Sequence, residues 1–182
     1  NEVGLGVSCA QPCIRVYIAN RPPMAPYQDL EGVKVLNPGE IYNIAQHTGN
    51  HWRKIFNVYA KFLYGLYSSQ KTLAANLHNT GRWQDYRDEI LLQGNGRSVL
   101  LFSRPSFEKN PADIHIIMGK QYAAQLGFDR ETSQELILLD RDFAICKRKN
   151  LIICPYFDYR QLSNIKIDRL VELVNELWQG PS

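Results

Sequence analysis

The sequence predicts an α/β domain: a three-layer sandwich in which a mostly parallel central sheet is flanked by helices. Three observations predict it. Short β-branched runs alternate along the chain with stretches of helical periodicity, the pattern of strands joined by crossover helices. The main apolar runs end in Pro or Gly, as in Asn20-Arg21-Pro22-Pro23, Arg104-Pro105, Met118-Gly119 and Cys154-Pro155, where a chain turns off a sheet. And 182 residues, with no linker, repeat or low-complexity tract, make one domain over residues 1–182.

The elements follow in order. Residues 13–19 (Cys-Ile-Arg-Val-Tyr-Ile-Ala) form a strand that the prolines at 22 and 23 terminate. Asn37-Pro38-Gly39-Glu40 is a helix start near Pro38: Asn can cap, Pro suits the first turn, and Glu40 can return to the cap amide. Trp52, Ile55, Phe56, Tyr59, Phe62, Leu63 and Leu66 recur at three- and four-residue spacing, one apolar stripe on a helix over residues 50–66. Whether Thr48-Gly49 separates it from the preceding helix is left open by the sequence. A shorter helix spans 83–93 and stops at Gly94-Asn95-Gly96.

Residues 98–102 and 114–118 are buried strands. Gly119-Lys120 leads into a helix to about Leu126, and 136–139 is a short strand. Residues 143–146 and 151–154 flank Lys147-Arg148-Lys149-Asn150 as a hairpin. The last helix, 167–178, places Leu170, Val171, Val174, Leu177 and Trp178 on one face.

Composition narrows the function classes. Hydrophobic content of 45% and charged content of 21% exclude disordered and fibrous chains. The longest apolar runs fall far short of the roughly 20 residues of a membrane span, so no membrane partner is expected. The N-terminal residues lack the basic and apolar regions of a signal peptide. Cys9, Cys13, Cys146 and Cys154 match neither a disulfide framework nor a CxxC pair, which suits free thiols in a reducing cytoplasm. Cys9-x3-Cys13 lacks the second pair of a zinc site, so neither metal nor cofactor is expected. A formal charge of +3 permits a nucleic-acid or nucleotide partner without requiring one.

In a parallel sheet, ligands bind where loops leave the carboxyl ends of strands, so the loops after Ala19, Phe102, Met118 and Cys154 are the candidate walls. Asn20 directly follows the first strand. His47-Thr48-Gly49-Asn50-His51-Trp52 gathers two imidazoles, an amide and an indole at a helix start, a place suited to phosphate or a base. Arg104 and Lys120 each follow a strand and can hold phosphate, although Met118-Gly119-Lys120 is not a P-loop. Tyr156, Tyr159 and Arg160 after the last strand can stack on a base and touch phosphate.

Read in order, these segments resemble the uracil-DNA glycosylase superfamily, nearest to its mismatch-specific branch. Ile18-Ala19-Asn20-Arg21-Pro22 stands where that branch has Gly-x-Asn-Pro-Gly; His47-Thr48-Gly49-Asn50-His51-Trp52 stands for its His-Pro-x-Asn-x-Phe-Trp. Arg104-Pro105-Ser106 echoes an Arg-Pro-Thr loop, Ile117-Met118-Gly119-Lys120 a strand ending in Gly-Lys, and Cys154-Pro155 the closing motif. The alternative assignment is an uncharacterised bacterial family sharing that fold.

The resemblance implies a glycosylase-like fold with Asn20 and His47 as catalytic candidates. Together with the residue reading it gives Tyr42, Asn50, Arg104, Lys120, Cys154, Tyr156 and Arg160 as ligand-binding candidates. Cys154 replaces the Asn or His that supports transition-state charge in that family. Loss of one such donor typically costs about two to three orders of magnitude in rate, so ordinary uracil excision is not expected. The functions in view are a divergent base glycosylase, a module recognising a nucleobase, nucleotide or nucleic acid, and a non-catalytic small-molecule-binding or structural protein.

Overall fold

Eight strands hydrogen-bond into one mixed sheet: β1 (Gly4–Gly6), β2 (Ile14–Tyr17), β3 (Val33–Lys34), β4 (Ser98–Leu101), β5 (Ile114–Met118), β6 (Ile137–Leu138), β7 (Ala144–Cys146) and β8 (Leu151–Cys154). Their spatial order is β3-β1-β4-β2-β5-β8-β7-β6. The four central strands, β4-β2-β5-β8, run parallel, with Val16 opposite both Leu100 and Ile116. β1 and β7 are antiparallel to them on either side, and β3 and β6 form the two edges. The computed structural model describes residues 1–8, 12–108 and 110–179; Cys9 lies outside them.

The helices are α1 (Ala25–Gln28), α2 (Glu40–Thr48), α3 (Asn50–Ser68), α4 (Trp83–Glu89), α5 (Lys120–Gln125) and α6 (Asn164–Gln179). Glu40 does return to the Asn37 amide, which donates to its carboxylate at 3.0 Å, but α2 itself starts two residues after Pro38. Gly49, at φ +81°, separates α2 from α3. α3 buries ten residues, among them Trp52, Phe56, Tyr59 and Phe62, in agreement with the stripe read from their spacing. At roughly 1.5–3 kcal/mol for each large apolar side chain buried, this helix is the main anchor of its layer.

Side chains alternate across the strands. Ile14, Val16, Ile116, Met118, Ile152 and Cys154 face a core shared with α2, α3, α4 and α6. Tyr17, Val99, Leu101, Ile117, Leu151 and Ile153 face a smaller cluster with Ala123 of α5, and Phe107 and Phe128 pack at its margin. The result is three layers of unequal thickness. No helix among the described residues is long and apolar enough to cross a membrane.

Several elements differ from the sequence expectation, among them α1, a 3-10 helix at Lys71–Leu77, and the last helix, which starts at Asn164. β1 and β3 appear where no strand is predicted, because Gly4-Leu5-Gly6 has no β-branched signal. The glycines are instead required by close approach: a Cβ on Gly4 would lie 2.2 Å from the Leu100 carbonyl oxygen. The 83–93 helix ends at Glu89, and Ile90, Leu91 and Leu92 are buried as a turn, with Leu92 at φ +59°. The 147–150 segment is the expected reversal between antiparallel β7 and β8, made by a 3-10 turn, Lys147–Lys149.

The smaller face carries a buried polar row. Arg15 donates from Nε to Asp113 at 2.9 Å and also pairs with Glu2; Asp113 accepts the Cys13 amide at 2.8 Å. The Tyr17 hydroxyl lies 2.7 Å from Nδ1 of His115, and Phe107 meets the imidazole edge to face at 4.6 Å. Burial works against the Arg15 charge, yet the Asp113 hydrogen bond and the Glu2 charge outweigh it and hold the guanidinium protonated beyond its usual range. Burial pushes His115 down to about 4, the Asp113 charge only partly offsetting it, so the ring is neutral near pH 7.

Candidate functional site

β2 and β5 are adjacent and parallel, yet their connections leave in opposite directions. The β2-to-β4 connection carries α2, α3 and α4 on one face, and the β5-to-β8 connection carries α5 on the other. Such a parting of crossovers opens a crevice at the carboxyl ends of the strands. A cleft of about 540 Å³ lies there, lined by Ala19 and Asn20 after β2, by residues 118–122 and Gln125 around the start of α5, by Arg141 and Asp142, and by Pro155, Tyr156 and Gln161 after β8.

Local sequence explains each wall. Gly119, at φ +100°, lets β5 turn directly into α5, and its amide donates to the Cys154 carbonyl at 2.8 Å, tying the two strand ends together. α5 buries Ala123 and so directs Gln121 and Gln125, one turn apart, outward toward the opening. Gly127, at φ +90°, stops the helix, and the Phe128 amide closes it on the Ala123 carbonyl at 2.8 Å. The Asp140 carboxylate accepts the amides of Asp142 and Phe143, both at 2.8 Å, which fixes the turn that presents Arg141. Those two hydrogen bonds outweigh its partial burial and hold Asp140 below the usual carboxylate range.

The polar inventory is one-sided. Asp142, the carboxylate in the wall, is paired with Lys166 at 3.1 Å. Among the described residues Lys120 and Arg141 form no salt bridge, and the side-chain amides of Asn20, Gln121, Gln125 and Gln161 have no hydrogen-bond partner within the chain. Tyr156 is held in place: its hydroxyl lies 2.9 Å from His51 Nε2, and the two rings stack at 5.7 Å. Burial, helped by the Asp158 charge, pushes the Tyr156 phenol up to about 12, so it is a neutral hydrogen-bonding group. Among the described residues no three His, Cys, Asp or Glu side chains gather to hold a metal ion.

Of the residues singled out by sequence, Asn20, Lys120 and Tyr156 line the cleft. The other six do not. His47 is exposed on the last turn of α2, donating from Nδ1 to the Asn43 carbonyl at 2.8 Å. Tyr42 is 68% exposed on α2, and Asn50 is exposed at the start of α3 without capping it. Arg104 reaches the Leu126 carbonyl at 3.4 Å, and the Arg160 guanidinium lies over the Tyr159 ring at 5.7 Å. Cys154 is fully buried in the helical core, where burial raises its thiol far above the ordinary range.

Sequence reasoning passed over Gln121, Tyr122, Gln125, Arg141 and Gln161; His51, named within the 47–52 segment but assigned no role, stands at the rim. The spacing of Gln121 and Gln125 on the first helix after a strand was the one available signal. Arg21, next to Asn20, turns to α1 instead, donating to the carbonyls of Tyr27, Gln28 and Leu30.

A model of a family of unknown function, DUF6942, matches residues 3–175. No curated protein and no solved structure matches the chain.

Proposed function

The chain belongs to this family of unknown function, and from its own geometry we propose that it binds a nucleotide in the cleft at the carboxyl ends of β2, β5 and β8. The observation that carries this reading is the meeting of Lys120 and Arg141, which form no salt bridge among the described residues, with four carboxamides and two tyrosines in one cleft. The cations suit a phosphate, the amides suit the donor and acceptor edge of a base, and Tyr122 and Tyr156 offer ring faces for stacking.

A mononucleotide fits better than a nucleic-acid strand. The basic run 147–149 lies at the amino end of β8, the opposite end of the parallel strands from the cleft. Two of its charges are also engaged: Arg148 pairs with Glu135 at 2.6 Å, and Lys149 sits over the rings of Phe107 and Phe128. Binding fits better than base excision, because of the two residues the glycosylase resemblance requires, Asn20 lines the cleft and His47 does not.

Isothermal titration with the ribonucleoside 5′-monophosphates and the corresponding nucleosides tests the reading. Nucleotides should bind more tightly than nucleosides, and the Lys120→Ala/Arg141→Ala variant should lose about 10-fold or more, the worth of one or two charged hydrogen bonds. Equal affinity of the variant, or no nucleotide binding at millimolar concentration, would reject it.

A further inference from the structure

Beside the polar cleft lies a second compartment of about 280 Å³, floored by Ala123, Leu136, Ala144 and Ile153 and flanked by Phe128 and Leu138. Lys120, Arg141 and Asp142 line both spaces, so the two compartments meet at the two cations. The floor residues are nearly fully buried, and Leu138 on β6 stands 51% exposed at the mouth. The carboxylates at its edge are engaged by their own turns: Asp129 accepts the Thr132 hydroxyl and amide at 2.7 and 2.8 Å, and Asp140 accepts two amides. A chain entering from the cations therefore meets a hydrocarbon floor, with Arg130 and Asp129 at the rim.

We propose that these compartments form one site for an amphiphilic phosphoester: a phosphate held at Lys120 and Arg141, a polar head in the larger cleft and an alkyl or acyl substituent in the smaller one. Resting on the nucleotide reading, this makes the ligand a nucleotide whose phosphate carries an apolar group. A plain mononucleotide would leave the apolar compartment facing water, and a plain lipid phosphate would leave the four carboxamides of the cleft unused. An anion with a different group on each side satisfies both walls, and the shared cations fix where the junction lies.

The test uses the full chain and a series of methyl, butyl and hexyl phosphate, with a nucleoside 5′-monophosphate as competitor. Affinity should rise with chain length by about 10-fold or more from methyl to hexyl, as burial of successive methylenes requires. Hexyl phosphate should displace the nucleotide, since both place an anion at Lys120 and Arg141. Leu138→Gln, a change at a half-exposed position, should weaken hexyl phosphate several-fold and leave methyl phosphate unchanged. No gain with chain length overturns the proposal whatever the nucleotides do. Simultaneous binding of hexyl phosphate and nucleotide overturns it as well, because the anion position is then not shared. Binding of the alkyl series without any nucleotide binding keeps the apolar compartment and removes the nucleotide reading instead.

Discussion

The two faces of the sheet are built from different materials. Beneath α2, α3, α4 and α6 the strands present Ile14, Val16, Ile116 and Ile152 to a wide core of aromatic and aliphatic side chains. On the α5 side the same strands present Arg15, Tyr17 and His115, interleaved with Leu101, Ile117 and Ile153, under a helix of six residues. Because strand residues alternate, neighbouring positions of one strand serve opposite purposes. The thick face supplies the stability that lets the thin face carry buried charge and an open cleft.

That contrast breaks first if the thick face is not the main source of stability. Trp52→Ala removes a large, fully buried side chain of α3 and should cost about 3–5 kcal/mol in urea denaturation; a loss near that of a surface substitution would refute the division. On the thin face, Arg15→Met leaves Asp113 buried without its cation and should cost about 3 kcal/mol. The double variant Arg15→Met/Asp113→Asn should recover much of that, measured in the same way, because the Asn oxygen still accepts the Cys13 amide and the penalty is the stranded charge.

The smallest effect is pH-dependent. His115 is neutral in the folded protein down to about 4, while its unfolded value is near 6.5, so the unfolded chain takes up the proton first as pH falls. The stability tied to the neutral ring is fully present above pH 6.5 and is lost progressively between 6.5 and 4. At pH 5 the loss amounts to about 2 kcal/mol. The unfolding free energy of the wild type should fall between pH 8 and pH 5 by about 2 kcal/mol more than that of His115→Gln, measured by urea denaturation at each pH.

Much of the fold was legible because its signals are local. β2, β4, β5 and β8 are runs of branched apolar residues closed by Pro or Gly, and α3 announces itself by the spacing of Trp52 through Leu66. β1 was not legible, since Gly4 and Gly6 owe their place to contact with β4, across nearly a hundred residues. The site divides in the same way. Asn20, Lys120 and Tyr156 follow from the strand-end rule alone. Cys154 ends its strand on the phase that faces the helices, and His47 follows Asn43 on the outward side of α2, so neither reaches the cleft although both stand beside plausible motifs. Gln121, Arg141 and Gln161 come together only through the packing of α5 and two loops.

The place of β2 at the centre of the sheet has a consequence for the order of folding. Its two neighbours, β4 and β5, arrive late: the Cys13 amide waits for Asp113, 100 residues further on and just before β5. The cleft contact of Tyr156 with His51 spans 105 residues. Pairings this distant close slowly, because the chain entropy of the loop is lost before the contacts form. On the ribosome, at about 5–20 residues per second, β2 stays without its central partners for several seconds while the apolar stripe of α3 is already made. The cleft is therefore assembled among the last parts of the protein, after the sheet around β2 is complete.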